Sequence, residues 1–161
     1  NAGIFAIIRP DRGGGVGKGL NVANNIFAKC KAGIVFLNRE NKADGNVYVD
    51  MPAEFQGLFE GVATKEYDPE AWRKIKYRDL TTWRDTLGWD KTSIAAEAQI
   101  SFDPDQLLLT FNTSKAPPRV AAVERIGNDL LGKPKSAARV AGPVASLGPK
   151  TSLRVDPRVL S

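Results

Sequence analysis

The strongest constraint on the fold is a strand, a turn and a second strand within residues 93–113. The stretch SIAAEAQISF alternates apolar and polar residues, which is the period of a half-buried β-strand. The DPDQ that follows is typical of a turn, and LLLTFNT then returns with apolar residues at alternate positions. This pattern predicts an antiparallel pair, with Ile100 and Phe102 on one face of the first strand and Leu109 and Phe111 on one face of the second.

Short apolar runs and further alternation predict additional strands. These strands lie at 4–8, 32–38, 45–51 and 73–79. Between the second and the third of them, Asp44 and Gly45 form a dipeptide that is typical of a two-residue hairpin turn. The sequence therefore predicts that these two strands pair as a hairpin.

Helical spacing of apolar residues, or helix-capping residues, predicts several helical segments. They lie at 20–30, 52–62, 82–88 and 118–131. In the third segment, Thr82 is the expected N-cap and Gly88 the residue that ends the helix. In the last segment, Gly132 is the expected stop.

We therefore expect an α+β fold: an antiparallel or mixed sheet of about five to seven strands packed by about two or three helices, with extended basic N- and C-terminal arms. Residues 1–132 are expected to form a single α+β domain, in which residues 1–19 are either a Gly-rich basic arm or a loop. Residues 133–161 contain four prolines and no aromatic residue, and they predict an extended, basic, Pro-rich C-terminal arm. This arm either wraps its own domain or lies on a neighbouring subunit or nucleic acid. No internal repeat is evident.

The positive charge is concentrated at both ends of the chain. The formal net charge is +5, and residues 1–31 carry five Lys or Arg against one Asp. Residues 133–161 carry six against one, so the centre is mildly acidic. Basic ends predict a polyanionic partner or an acidic neighbouring subunit, although they also serve solubility alone.

The chain contains no histidine and a single cysteine, Cys30. This excludes a disulfide framework and a cysteine-based zinc site, and it removes the histidine base of Ser-His-Asp and Cys-His enzymes. Turn chemistry and helix capping account for the clustered carboxylates, so no catalytic residue, metal site or cofactor is predicted. No apolar run approaches the roughly 20 residues of a membrane span. The absence of disulfides favours an intracellular or virion location over a secreted one.

The Gly-rich stretch RGGGVGKGLN at 12–21 lies between a predicted strand and a predicted helix, which is the context of a phosphate-binding loop. Within it, GGGVGK resembles the GGVGK of ParA-type ATPases over about six residues, and the resemblance implies a nucleotide-binding enzyme. However, Arg12 stands where the loop pattern needs Gly, and Gly19 where it needs Ser or Thr. We therefore expect Arg9, Arg12 and Lys18 to make sequence-independent phosphate contacts.

Residues 66–91 combine several basic residues with five of the chain's aromatic residues. If the stretch RKIKYRD is a strand, Lys74, Lys76 and Arg78 share one face, while Ile75 and Tyr77 share the opposite face. The aromatic rings then pack in the core, and the cationic face is exposed. Alternatively, rings and cations together form a groove for single-stranded nucleic acid.

These features favour a non-enzymatic structural subunit of a large assembly, either a virion or a ribonucleoprotein particle. Its expected partners are neighbouring copies or other subunits, and RNA or DNA through phosphate contacts. The alternative is a free-standing single-stranded nucleic-acid-binding protein, and a third reading is a P-loop-like nucleotide-binding enzyme. The candidate nucleic-acid-binding residues all carry a positive charge: Arg9, Arg12, Lys18, Lys74, Lys76, Arg78, Lys133, Lys135 and Arg139.

Overall fold

A computed structural model shows that the protein is mostly β-sheet. It describes residues 2–5, 18–61, 70–114, 117, 119–121, 127–129, 131–134, 136–142, 144 and 146–154. Strands hold 46% of these residues, and they contain one short α-helix. The prediction of an α+β fold, with a sheet packed by two or three helices, was therefore wrong.

The described part of the chain contains fourteen strands, the helix α1 (Leu80–Leu87) and a 3-10 helix at Ala71–Lys74. The strands are β1 (Ala2–Phe5), β2 (Asn21–Ala23), β3 (Ile26–Ala28), β4 (Ala32–Phe36), β5 (Lys42–Asp44), β6 (Val47–Val49), β7 (Gln56–Phe59), β8 (Ile75–Arg78), β9 (Ile94–Ala96), β10 (Ala98–Asp103), β11 (Leu108–Thr113), β12 (Arg119–Ala121), β13 (Ala138–Val140) and β14 (Lys150–Arg154).

The chain divides into two compact units that alternate along the sequence. Unit 1 comprises residues 1–22, 29–44 and 51–91. Unit 2 comprises residues 23–28, 45–50 and 92–161.

Unit 1 is built on a four-stranded sheet with the order β1-β4-β7-β8. The strands β1, β4 and β7 pair in parallel, whereas β8 runs antiparallel to β7. A second, two-stranded sheet pairs β2 with β5. The fully buried Trp83 of α1 packs against Phe36 and Trp89, at 6.5 Å and 5.1 Å between ring centroids. Both Trp side chains therefore pack in the core of this unit.

Unit 2 contains a parallel sheet β3-β6-β9, an antiparallel sheet β10-β11-β14 and the antiparallel pair of β12 with β13. The antiparallel pair predicted within residues 93–113 is confirmed, because Ile100 of β10 lies opposite Phe111 of β11. The Asp103 carboxylate accepts the N–H groups of Asp105 and Gln106, at 2.9 Å and 3.1 Å. The turn is therefore stabilised by its own aspartate, as its sequence indicates.

Parallel pairing brings together segments that are 21 residues apart. In unit 2, NNIFA at 24–28 lies beside GNVYV at 45–49, and the rings of Phe27 and Tyr48 stack at 5.4 Å between centroids. In unit 1, the N–H of Leu20 donates to Oδ1 of Asn41 at 3.0 Å, across the same spacing of 21 residues. In each unit, contacts therefore join residues that are 21 positions apart in the chain.

Buried polar side chains connect the adjacent segments. The Asn46 Oδ1 accepts the N–H of Asn25 at 3.0 Å, and the N–H of Asn46 donates to the Ser93 hydroxyl at 2.8 Å. In unit 1, Oε1 of Gln56 accepts the N–H of Ile34 at 2.9 Å. Because these amide side chains are fully buried, each bond satisfies a backbone donor that water does not reach. The bonds therefore favour one register of the parallel strands.

The helix predicted at 20–30 was wrong, because β2 and β3 occupy this segment. Asn24, with φ of 63°, separates the two strands, and Lys29, with φ of 54°, follows the second. A residue in the left-handed region redirects the chain, and Asn adopts that region more readily than most residues do. Apolar residues spaced for a helix fit two short strands around such a bend equally well. The phosphate-binding-loop interpretation thereby loses the helix that it requires.

Two other predicted helices were also wrong over their described residues. In the segment 52–62, β7 has four consecutive buried residues, and a strand covered on both faces shows no alternation. In the segment 118–131, residues 119–121 form β12, while residues 118, 122–126 and 130 lie outside the described residues.

The predicted hairpin around Gly45 was wrong as well. Gly45 is a turn residue with φ of 67°, but it connects β5 to β6. The strand β4 pairs with β1 and β7, and β6 pairs with β3 and β9.

The described part of the C-terminal segment contributes two strands to unit 2. β13 pairs with β12, and β14 pairs with β11. Between these strands, Ala141, Val144 and Leu147 are buried in a cluster with Val47 and Phe111. The apolar residues that lie between the prolines therefore belong to the core of unit 2.

The helix α1 begins after Asp79 rather than at Thr82. The Asp79 carboxylate accepts the backbone N–H of Thr82 at 2.8 Å and its hydroxyl at 2.6 Å. The helix ends at Gly88, with φ of 71°, as its sequence predicts. The hydrogen bonds from Thr82 lower the pKa of Asp79 below its usual 3.8.

We expect the cap to stabilise the protein at neutral pH and to lose its effect in acid. Because the folded pKa of Asp79 lies below the unfolded value, the stabilisation is present above pH 3.8 and declines as the pH falls further. Thermal unfolding should show Asp79→Ala less stable than wild type at neutral pH, and Asp79→Asn, which caps without titrating, close to wild type. An Asp79→Ala variant as stable as wild type at neutral pH would contradict the capping role.

Candidate functional site

One group of candidate residues lies at the last described strand of the sheet in unit 1. β8 is the last strand in the order β1-β4-β7-β8. The 3-10 helix leads directly into it, and Asp79 follows it as the cap of α1. We refer to Glu60 together with residues 75–78 as the β8 edge.

The backbone of β8 has hydrogen-bonding groups that point away from the sheet. The N–H of Glu60 donates to the carbonyl of Lys74 at 3.0 Å, and the register places Leu58 opposite Lys76. In an antiparallel pair, such hydrogen-bonded positions alternate with positions whose N–H and C=O face outward. The outward positions on β8 are therefore Ile75 and Tyr77, and no strand within the described residues pairs with them.

Glu60 holds the two cations of β8. Its Oε2 lies 2.9 Å from Nζ of Lys76, and its Oε1 accepts a hydrogen bond from Nη2 of Arg78. Arg78 also donates to the backbone carbonyl of Lys76 at 3.3 Å. The hydrogen bonds from Lys76 and Arg78 lower the pKa of Glu60 below its usual 4.5. The carboxylate therefore stays ionised at neutral pH and offsets part of the positive charge.

Tyr77 contributes an exposed aromatic surface to the β8 edge. Its side chain is 41% exposed, although the alternation of the strand predicted that it would lie in the core. Gly57 lies under the ring, since a Cβ atom on Gly57 would stand 3.0 Å from Cε1 of Tyr77 and 3.0 Å from Cγ2 of Ile75. The absent side chain at position 57 therefore makes room for the aromatic ring.

The candidate nucleic-acid-binding residues are divided between unit 1, unit 2 and the part of the chain outside the described residues. Lys74, Lys76 and Arg78 lie in unit 1, on or next to β8. Lys18 also belongs to unit 1 and pairs with Glu40 at 2.7 Å.

The remaining candidates lie in unit 2 or outside the described residues. Lys133 is exposed, whereas Arg139 is buried in β13. Arg9, Arg12 and Lys135, and most of the Gly-rich stretch, lie outside the described residues.

The sequence did not indicate Glu60 or Asp90, each of whose carboxylates contacts two other side chains. Glu60 lies 18 residues before Arg78, its partner in the ion pair. Asp90 is fully buried, and its Oδ2 accepts hydrogen bonds from Nε2 of Gln56 and Nε1 of Trp83, both at 3.0 Å. No local sequence signal indicates either contact, because each depends on how distant strands pair.

Over the described residues, no group of three or more His, Cys, Asp or Glu side chains is placed to hold a metal ion. No helix in that part of the chain is long and apolar enough to cross a membrane. Comparisons with protein-family models, curated proteins and solved structures find no match for this chain.

Proposed function

We propose that the protein is a non-enzymatic structural subunit of a large assembly, a virion or a ribonucleoprotein particle, and that the β8 edge contacts a neighbouring subunit. The proposal rests mainly on one observation: an edge strand with outward-facing backbone groups carries an exposed Tyr77. The outward backbone groups of an edge strand can pair with a strand of another chain. Tyrosine is enriched at protein interfaces because its ring is apolar and its hydroxyl is polar.

The parallel pairing within each unit supports a structural role. Stacked segments with buried side-chain hydrogen bonds resist shifts of register, because a shift leaves buried donors such as the N–H of Ile34 without an acceptor. A rigid edge presents its backbone groups in a fixed geometry, which lowers the entropy that is lost on association.

The ion pairs of Glu60 favour a protein partner over a polyphosphate. A phosphate that approached Lys76 or Arg78 would also approach the Glu60 carboxylate, which lies 2.9 Å from the Lys76 ammonium. Repulsion between the two anions opposes phosphate binding at this place. A neighbouring strand makes backbone hydrogen bonds and leaves these ion pairs intact.

We expect wild-type protein to associate with increasing concentration, beginning from the 17.4 kDa monomer. Tyr77→Lys should weaken association about tenfold or more, since a charge on an edge strand opposes pairing and 1.4 kcal/mol corresponds to a factor of ten. Sedimentation velocity across a concentration series measures the change. Phe102→Lys is the matched control, because Phe102 is 53% exposed and lies on β10 in unit 2. A wild type that stays monomeric, or equal effects of the two substitutions, would contradict a contact through β8.

The second candidate function is that of a free-standing single-stranded nucleic-acid-binding protein. The observation in its favour is that β8 exposes both the ring of Tyr77 and the side chain of Lys76, which is 70% exposed. A base can stack on such a ring while the cation contacts the backbone. If this function is correct, a stable monomer binds oligonucleotides, and its binding constant falls steeply as the salt concentration rises. Replacing Lys74, Lys76 and Arg78 together by Ala should make that fall less steep. If the salt dependence of binding is unchanged in the triple variant, these three residues do not contact the nucleic acid.

A further inference from the structure

We propose that Arg139 binds a small oxyanion, a phosphate or carboxylate group, within unit 2. Arg139 is the central residue of β13 and lies opposite Val120 of β12. Its side chain is only 4% exposed. Such burial is unusual, because a buried arginine normally lies against a carboxylate or another acceptor.

Two nitrogens of the buried guanidinium group lack acceptors. Nε and Nη1 of Arg139 are both inaccessible to water, and neither has a hydrogen-bond partner among the described residues. These two nitrogens carry three N–H hydrogens, and arginine does not release its proton in folded proteins. An unpaired charge of this kind is strongly destabilising, and an anion that accepts its hydrogen bonds removes the penalty.

Asp129, the buried acidic residue among the described residues of unit 2, accepts hydrogen bonds from backbone groups. Asp129 is 8% exposed, and its Oδ1 accepts the N–H groups of Leu131 and Lys133, each at 2.8 Å. These bonds stabilise the turn that precedes β13. Neither Nε nor Nη1 of Arg139 donates a hydrogen bond to a described carboxylate.

Two other cations, Arg119 and Lys133, belong to the same unit. Nη1 of Arg119, on β12, lies 3.5 Å from the carbonyl oxygen of Ala138, the residue before Arg139. Lys133 is exposed in the preceding turn. Because Arg139 is buried, a small oxyanion fits this position better than the backbone of a nucleic acid, which approaches from the surface. The inference is independent of the proposed assembly function.

The test compares the thermal unfolding of the full chain in inorganic phosphate, in acetate and in chloride at matched ionic strength. We expect one oxyanion to raise the wild-type Tm in a saturable way, because a ligand that binds only the folded state stabilises it. The phosphate and acetate series distinguish a phosphate site from a carboxylate site. Arg139→Met should bind the effective anion at least tenfold more weakly, and should be as stable as wild type, or more stable, in chloride.

Arg154→Met is the matched control, since Arg154 is an exposed cation on β14 of the same unit. It should keep the wild-type response to the anion. If Arg139→Met does not fold, isothermal titration calorimetry of the wild type with inorganic phosphate and with acetate still tests the proposal. It should show one binding site per chain for the effective anion. The proposal is overturned if neither anion gives saturable binding, or if Arg139→Met and wild type respond equally.

Discussion

Replacing Asp90 by alanine is expected to destabilise the protein by about 3 kcal/mol or more, since two buried donors each lose an acceptor at about 1–3 kcal/mol. The donors are Nε2 of Gln56 and Nε1 of Trp83, and all three side chains are fully buried. Urea denaturation, followed by tryptophan fluorescence and circular dichroism, measures the loss.

Two controls separate the hydrogen bonds from backbone strain. Asp90 has φ of 51°, and the exposed Asp50 has a similar φ of 48°. Asp50→Ala should therefore cost only about 1–2 kcal/mol, the penalty of the left-handed conformation. Asp90→Asn keeps an oxygen that can accept both bonds, and should cost much less than Asp90→Ala. If Asp90→Ala is no worse than Asp50→Ala, the buried network does not stabilise unit 1 as described.

The second large effect is expected at Gly142, in unit 2. Its φ is 103°, and a Cβ atom there would stand 2.8 Å from Cδ1 of Ile26. Gly142 also donates its N–H to the carbonyl of Asn24 at 2.6 Å, so the backbone cannot move away freely. Gly142→Ala should cost about 3 kcal/mol, from overpacking and from the backbone conformation together.

A double-mutant cycle tests whether the clash with Ile26 is the cause. Ile26→Val removes Cδ1, so the double variant should lose clearly less stability than the sum of the two single variants. Gly132→Ala is the control, since Gly132 has φ of 75° but a Cβ atom there would meet nothing within 4 Å. It should show only the conformational cost of about 1–2 kcal/mol. Strict additivity in the cycle, or equal losses at the two glycines, would show that the contact with Ile26 is not the cause.

The elements that the sequence predicted correctly are those with local signals. The pair of β10 and β11 follows from alternation on both sides of a turn that Asp103 stabilises. The end of α1 follows from Gly88, which takes up the left-handed conformation. These contacts join residues that are close in the chain, so the sequence pattern contains both partners.

The predicted helices failed where apolar spacing is ambiguous. Segment 20–30 fits a helix as well as it fits two short strands around Asn24, and only pairing with residues 41–49 distinguishes them. β7 is covered on both faces, so its residues show no alternation that would indicate a strand. In both cases the deciding contact is distant in sequence.

The candidate site was only partly predictable for the same reason. The basic residues of β8 were expected, and they do lie at a sheet edge. Their partner Glu60 reaches them through the pairing of β7 with β8, which no local pattern indicates. Tyr77 was expected in the core because it alternates with the cations, yet it is exposed because β8 is the last strand of its sheet.

By itself, the sequence determined the turn that contains Asp103, the end of α1 at Gly88 and the charge balance. It also excluded disulfides and histidine chemistry, since the chain has one cysteine and no histidine. Only the tertiary structure decided that β3 pairs in parallel with β6, 21 residues further along the chain, and that Nε and Nη1 of Arg139 are buried without a described acceptor. The physical reason is that turns and caps form between near neighbours, whereas parallel pairing and burial depend on closing loops between distant residues.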